Sequence, residues 1–338
     1  MPARLEISSA TFRGNVRAVA ERIAPSELML VMKDDAYGHG LNWAAAQGLA
    51  VGVRWFGAYE VPAALRIRAA APEARIFAWA TSSREEVAAA IRADVDLGIG
   101  AHDYLRRVVA EARSACRPAR IHLKIDTGLH RNGIRPEDWD DVVAEARRAE
   151  DAGLVRIAGV WSHLGEASDA DDDDARSVFT AAGDALRAAG GTPEHRHLTA
   201  SAASWARPEL RGSLGRIGAF CYGIRSADGP DLDGVAPAAA LRADVIDSGA
   251  DGVRIDIGAL DGLPSTLAGA AIGDRSARIV RVDRTWTEVS SSEELRPGDS
   301  VTLFGPGGVS ATDLAEHIDT VGEEILTRIS PLVPRIYT

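Results

Sequence analysis

Eight short apolar runs, each followed by a stretch with helical spacing, fill the first two-thirds of the chain and narrow its fold more than any other feature. They are LMLVM (28–32), RWFGA (54–58), RIFAWA (75–80), DLGIG (96–100), RIHLKI (120–125), RIAGVWSH (156–163), HRHLTA (195–200) and GRIGAFCYG (215–223). Apolar runs of this length, bounded by turn residues, read as buried strands, and the amphipathic stretches between them as helices. SSREEVAAAIRA opens with a capping box from Ser83 to Glu86, and DDVVAEARRAEDAG stops on Gly153, a residue suited to a helix C-terminus. Strand–helix alternation at this count predicts an α/β fold, a (β/α)8 TIM-type barrel. A doubly wound sheet is the alternative, but no glycine-rich fingerprint follows the first strand.

The pattern changes near Asp228. ADGPDLDG (227–234) is a polar, glycine-rich link. After it LRADVI, GVRIDIG, ARIVRVDRTWTEV and DSVTLFG alternate as antiparallel strands with one wet face. SATDLAEHIDTVGEEILTRIS (310–330) reads as helical. The expected division is a barrel domain over 1–229 and a smaller β-rich C-terminal domain over 230–338. A chain of 338 residues can bury both cores. The net charge of −11 argues against binding nucleic acid or an anionic membrane, since both want a basic face. No apolar run reaches membrane length, the first ten residues lack a signal-peptide pattern, and Cys116 and Cys221 form no CxxC. The expectation is a cytoplasmic protein without disulfides.

Lys33 ends the first apolar run, in VMKDDAYGHG, and Lys124, Asp126, His163, Ser201 and Arg216 stand at or just beyond the ends of later ones. In a barrel such positions converge on one mouth. A lysine amine that can bond to an aldehyde, an imidazole, a guanidinium and small Ser or Gly groups for a phosphate suit pyridoxal 5'-phosphate (PLP). Each residue also has a plainer reading. Lys33 could reach solvent, His163 could be a satisfied core histidine, and Lys124 or Arg216 could pair with Asp126. Ser201 could cap a helix, Tyr37 could simply pack, and His130 could be an exposed loop residue. No metal site is expected. DADDDD (169–174) has Asp174 and Thr180 where a calcium loop needs glycine and glutamate, so it reads as an acidic helix cap. His195 and His197 of HRH alternate along one strand, where packing is the commoner role.

Several of these segments, in order, resemble motifs of the alanine racemase family. VMKDDAYGHG is similar to its lysine motif V-K-A-N-A-Y-G-H-G, HLKIDTGLHRNG (122–133) to K-x-D-T-G-M-x-R-x-G, and GVWSHLGEASD (159–169) to its S/T-H strand. TASAASW (199–205) resembles A-N-S-A-A, GRIGAFCYG resembles R-x-G-[IL]-x-[LM]-Y-G, and VPRIYT (333–338) resembles the family's ending. The resemblance implies a PLP enzyme assembled as a head-to-tail homodimer. Lys33 would hold the cofactor and act as base, His163 would lie against the ring, and Arg216 would face its nitrogen. Tyr37, Ser201 and Gly218 would take the phosphate, and Arg131 would sit near the substrate carboxylate. Lys124 would be a site of carbamylation. The family's second base, a tyrosine in the smaller domain, has no counterpart in the shortened segment ADVIDSGADGVRIDIGALDG (243–262). Ala259 and Glu323 stand where two further tyrosines are expected. His130 and Cys221 are the candidates to replace the missing base. The expected function is a PLP-dependent racemase or epimerase acting at Cα of an amino acid, with plain alanine turned over weakly or not at all. The alternatives are a one-base PLP enzyme (decarboxylase, aldolase or eliminase) and a degenerate homologue that only binds PLP or another ligand.

Overall fold

The computed structural model describes residues 3–249, 252–292 and 294–338. Two eight-stranded sheets organise them. After β1 (Arg4–Ile7) come β2 (Glu27–Val31), β3 (Trp55–Ala58), β4 (Arg75–Ala78), β5 (Asp96–Ile99), β6 (Ala119–Lys124), β7 (Val155–Trp161), β8 (His195–His197) and β9 (Leu214–Ile217). Strands β2 to β9 form an all-parallel sheet in the order β8-β7-β6-β5-β4-β3-β2-β9. The two ends of this order nearly close. Ser213 N–H donates to Arg196 O at 3.0 Å, and Glu27 N–H donates to Ser213 O at 2.9 Å. Gly212 permits that approach, because a Cβ there would lie 1.9 Å from Arg196 O. The result is a TIM-like barrel. Each expected barrel strand is present, and Ser83 and Glu86 form their capping box at the helix Arg84–Arg92. The strands are largely buried on both faces because helices cover the outside while the inside is filled. Met29, Trp55, Phe77, Trp161 and Leu214 make the central packing cluster.

The second sheet adds β10 (Ala239–Gly249), β11 (Gly252–Ile255), β12 (Ala271–Ile272), β13 (Ala277–Val282), β14 (Thr287–Ser291), β15 (Ser300–Phe304) and β16 (Arg335–Tyr337). Its order is β12-β13-β14-β11-β10-β1-β16, with β15 also on β10. The long run ARIVRVDRTWTEV is a hairpin, β13–β14, whose turn is closed by Asp283 N–H donating to Trp286 O at 2.8 Å.

The strands group into two compact units. One compact unit comprises 1–18, 34–47 and 219–338, and the other comprises 19–33 and 48–218. The cause is β1, whose Leu5 pairs antiparallel with Leu241 and parallel with Arg335. A strand's partner is set by long-range pairing and leaves no local mark. The helical stretch 310–330 holds two helices, Ala311–His317 and Gly322–Arg328. Between them Asp319 turns left-handed, at φ 56°, beside the β-branched Ile318, Thr320 and Val321, which weaken a helix.

Candidate active site

The barrel unit gathers most of the expected residues at the C-terminal ends of its strands. Lys33 follows β2 and is half-buried. Lys124 closes β6, 5 % exposed, with Nζ 4.6 Å from the Trp161 ring centroid. The chain then makes a short excursion over 126–133 and returns, with Asp126 N–H donating to Ile134 O and Ile134 N–H to Lys124 O, both at 2.8 Å. Asp126 staples this loop. Its Oδ1 accepts from the N–H groups of Gly128 and His130 at 3.1 Å, and its Oδ2 lies 3.0 Å from His130 Nδ1. Arg131 stands exposed on that loop. Gly218 follows β9 and is buried, and Ser201 is the first residue of the helix Ser201–Ala206, with Ala200 as its N-cap.

Arg216, on β9, is 5 % exposed and held from several sides. One terminal nitrogen donates to His197 O at 2.8 Å and to His197 Nδ1 at 3.0 Å. The other donates to Ser162 O at 2.6 Å and Leu198 O at 3.1 Å, and lies 3.4 Å from His163 Nδ1. Burial lowers the Arg216 guanidinium to about 9.

The electrostatics show what these residues surround. His163 is lowered to about 3, first by burial and then by the charges of Arg216, Arg131, Lys124 and Lys33. Four cations therefore act on one neutral imidazole. Lys124 is lowered to about 8 by burial, Arg216 and Arg131, against a smaller opposing pull from Asp126. Burial works to raise the Asp126 carboxyl, but the His130 and Gly128 N–H groups and the His130 side chain hold it below the usual carboxylate range. That carboxylate is spent on the loop rather than on Lys124. Such a concentration of positive charge suits an anionic ligand. PLP fits these residues, with an aldehyde for the lysine amine, a ring nitrogen for the guanidinium and an anionic oxygen and phosphate for the cations. One group runs against this. The exposed Glu166 carboxylate accepts the Ala203 N–H at 2.9 Å, a donor that a phosphate beside Ser201 would also seek.

The remaining expected residues fall in the other unit. Asp34, Asp35, Ala36 and Tyr37 all have left-handed backbone, φ 52°, 52°, 59° and 54°. Tyr37 is buried with its ring centroid 4.9 Å from that of Tyr222. Burial pushes its hydroxyl well up, and the Glu323 charge pushes it further. Burial likewise pushes the Cys221 thiol up, which leaves it a poor base near neutral pH. Ala259 opens a short 3-10 turn, Ala259–Asp261. Two histidines that sequence reasoning gave no site role, His122 and His197, are fully buried behind Arg216. The signal for His122 was its alternation with Arg120 and Lys124 along one strand, and that for His197 was the alternation in HRH.

Known proteins agree with this geometry. The family model described as "Alanine racemase, N-terminal domain" matches residues 7–226, and that described as "Alanine racemase, C-terminal domain" matches 251–337. The chain belongs to the alanine racemase family. An alanine racemase of Thermobifida fusca is 37% identical over 369 aligned residues, covering 99% of this chain and 97% of that protein. One from Beutenbergia cavernae is 34% identical over 372, with 99% and 98% covered. These aligned lengths exceed the chain's own 338 residues, so the relatives carry segments that this chain lacks. The solved alanine racemase of Streptomyces coelicolor superposes with a TM-score of 0.91 at 30% identity, covering 100% of this chain and 98% of that one. The enzyme from D-cycloserine-producing Streptomyces lavendulae gives 0.92 at 30%, with 100% and 97% covered. This chain is thus a member of a PLP-enzyme family. Among the described residues no helix is long and apolar enough to cross a membrane, and no group of three or more His, Cys, Asp or Glu could hold a metal.

Proposed function

We propose that this chain is a PLP-dependent amino-acid racemase acting at Cα, with alanine, the substrate named for its relatives, as the first candidate. The observation that carries this is the gathering of Lys33, Lys124, His163 and Arg216 at the C-terminal ends of the barrel strands, with Arg216 3.4 Å from His163 Nδ1. PLP, when bound, supplies the electron sink that makes the substrate's Cα–H acidic. Lys33 would hold the cofactor, and its Nζ would take and return the proton on one face. Arg216 would donate to the ring nitrogen, and because a guanidinium gives up its proton reluctantly, that nitrogen stays unprotonated. The neutral His163 would lie against the ring without adding charge. Ser201 and Gly218 would hold the phosphate, and Arg131 the substrate carboxylate. Lys124, lowered to about 8, keeps a neutral fraction that can add CO2, forming a carbamate anion and releasing a proton, and that anion would steady Arg131. Two chains would pair head to tail, which light scattering would read as twice the chain mass.

The test begins with colour. The purified protein should be yellow with added PLP, and borohydride should fix the cofactor to wild type but not to Lys33→Ala. Alanine in D2O should then acquire deuterium in both enantiomers. A colourless protein that borohydride cannot label sinks the proposal and leaves only the ligand-binding homologue.

A specific observation favours a second reading, one-sided proton exchange. The chain's five tyrosines are Tyr37, Tyr59, Tyr104, Tyr222 and Tyr337, so none lies where the family's second base stands. His130 is tied to Asp126 and Cys221 is buried with a raised thiol, so neither is a ready substitute. A positioned acid or base is worth about 10²–10⁴ in rate. Deuterium entering with retained chirality would establish this reading over racemisation.

A further inference from the structure

We propose that Asp96, His122 and His197 form a one-way hydrogen-bond relay that orients Arg216, and that Asp96, at its far end, is a positioning residue for the site. Its functional side rests on the PLP reading above; its proton arrangement does not.

The relay crosses the barrel interior from β5 to β9. Arg216 lies 3.0 Å from His197 Nδ1, His197 Nε2 lies 2.8 Å from His122 Nδ1, and His122 Nε2 lies 3.0 Å from Asp96 Oδ2. The other oxygen, Asp96 Oδ1, accepts from Arg120 Nε at 2.9 Å. Asp96, His122 and His197 have no exposed surface, and Arg216 has 5 %.

Donor chemistry allows a single arrangement of protons. A guanidinium only donates, so His197 must accept at Nδ1 and carry its proton on Nε2. That N–H points at His122 Nδ1, which must therefore accept, and the His122 proton also sits on Nε2. There it meets a carboxylate, which only accepts when ionised. A proton on the wrong nitrogen of either ring sets two donors against each other in a dry site, where an unmade hydrogen bond is costly. Burial and the neighbouring Arg216 hold His197 well below the usual imidazole value, which agrees with a neutral ring. Burial works to raise Asp96, but the His122 hydrogen bond and Arg120 keep it below the usual carboxylate range, as an acceptor must be.

The surroundings fix the ring planes. Trp161 stacks on His197 at 5.8 Å and 9°, and His195 stacks on His122 at 6.1 Å and 4°. His122 lies directly over Gly159, where a Cβ would come within 2.2 Å of its Nδ1. The relay gives Arg216 an anionic counterpart at a distance, through two neutral rings, and keeps a carboxylate out of contact with the guanidinium.

Two-bond 1H–15N correlation on histidine-labelled apoprotein reads the tautomers directly. Wild type should show His122 and His197 both neutral with the proton on Nε2. An Nδ1–H tautomer or an imidazolium at either overturns the relay, whether or not the protein binds PLP. In Asp96→Asn, an amide oxygen kept toward Arg120 turns an NH2 toward His122 and reverses the proton order along the relay. The expected readout is a changed His197 tautomer, and PLP binding by equilibrium dialysis weakened roughly tenfold. A folded Asp96→Asn protein with an unchanged His197 tautomer, or with unchanged PLP affinity despite a changed tautomer, removes Asp96 from the positioning role. Should that variant fail to fold, the wild-type tautomers still decide the relay. A wild type that never binds PLP fails the function while leaving the tautomer result standing.

Discussion

At the scale of single residues, burial has made two of the site's cations, Lys124 and Arg216, easier to neutralise. Lys124 ionises at about 8 in the folded chain against an ordinary 10.5. Below pH 8 both states are protonated and the full penalty of a buried ammonium is present. Between about 8 and 10.5 the unfolded chain binds the extra proton, so stability rises with pH. Lys124→Met should abolish that rise and gain up to about 3 kcal/mol at pH 7, read by urea unfolding in CO2-free buffer. Glu166 works in the opposite sense, holding a negative charge where a phosphate is expected. Glu166→Gln keeps an acceptor for the Ala203 N–H and removes the charge. PLP affinity should rise several-fold by fluorescence titration; a lower affinity would show the carboxylate to be a needed part of the site. Lys33, Lys124 and Arg216 were visible in the sequence because strand ends are visible. Glu166 was not, since nothing local says that a carboxylate will fold back onto a helix start 37 residues later.

At the scale of elements, the turn after Lys33 stands out. Left-handed backbone costs an L-residue about 1–2 kcal/mol, and Asp34 to Tyr37 adopt it four times in succession. The turn persists because its surroundings determine it. Gly38 N–H donates to Asp34 O and Gly40 N–H to Asp35 O, both at 2.9 Å. Asp35 Oδ1 accepts from Leu41 N–H at 3.1 Å, and Tyr337 donates to His39 O at 2.9 Å. Gly38 continues the turn at φ 76°, and a Cβ there would lie 2.8 Å from Leu326 O. Gly38→Ala should therefore cost about 2 kcal/mol, seen as a lower melting temperature. An unchanged melting point would mean that the turn is less constrained than its contacts require. The glycines of AYGHG suit a turn, but its handedness at four non-glycine positions had no sequence signal.

For the whole molecule, buried and half-buried histidines set the response to acid. His39 and His195 are lowered to about 4 and His163 to about 3, in each case chiefly by burial. All three stay neutral in the folded chain while the unfolded chain protonates near the ordinary 6.5. Stability contributed by their neutrality is present above 6.5 and is lost as pH falls toward 4. At pH 5 each should cost on the order of 2 kcal/mol. The urea midpoint of apoprotein should drop steeply between pH 7.5 and 5, and a flat profile would contradict the burial of these rings.

What the amino-acid order determined by itself was the barrel, the change to antiparallel strands near residue 230, the ranks of strand-end lysines and arginines, and a 243–262 stretch without tyrosine. These are carried by period, by composition and by presence or absence, all of which are local. Tertiary structure alone decided that β1 joins the C-terminal strands, that the 310–330 stretch breaks, that Asp126 serves its own loop, and that two histidines distant in sequence share a proton order with Arg216. Each of those depends on which polar group meets which other group across many intervening residues. A hydrogen bond between strands has a direction only once both partners are in place, so no single segment can encode it.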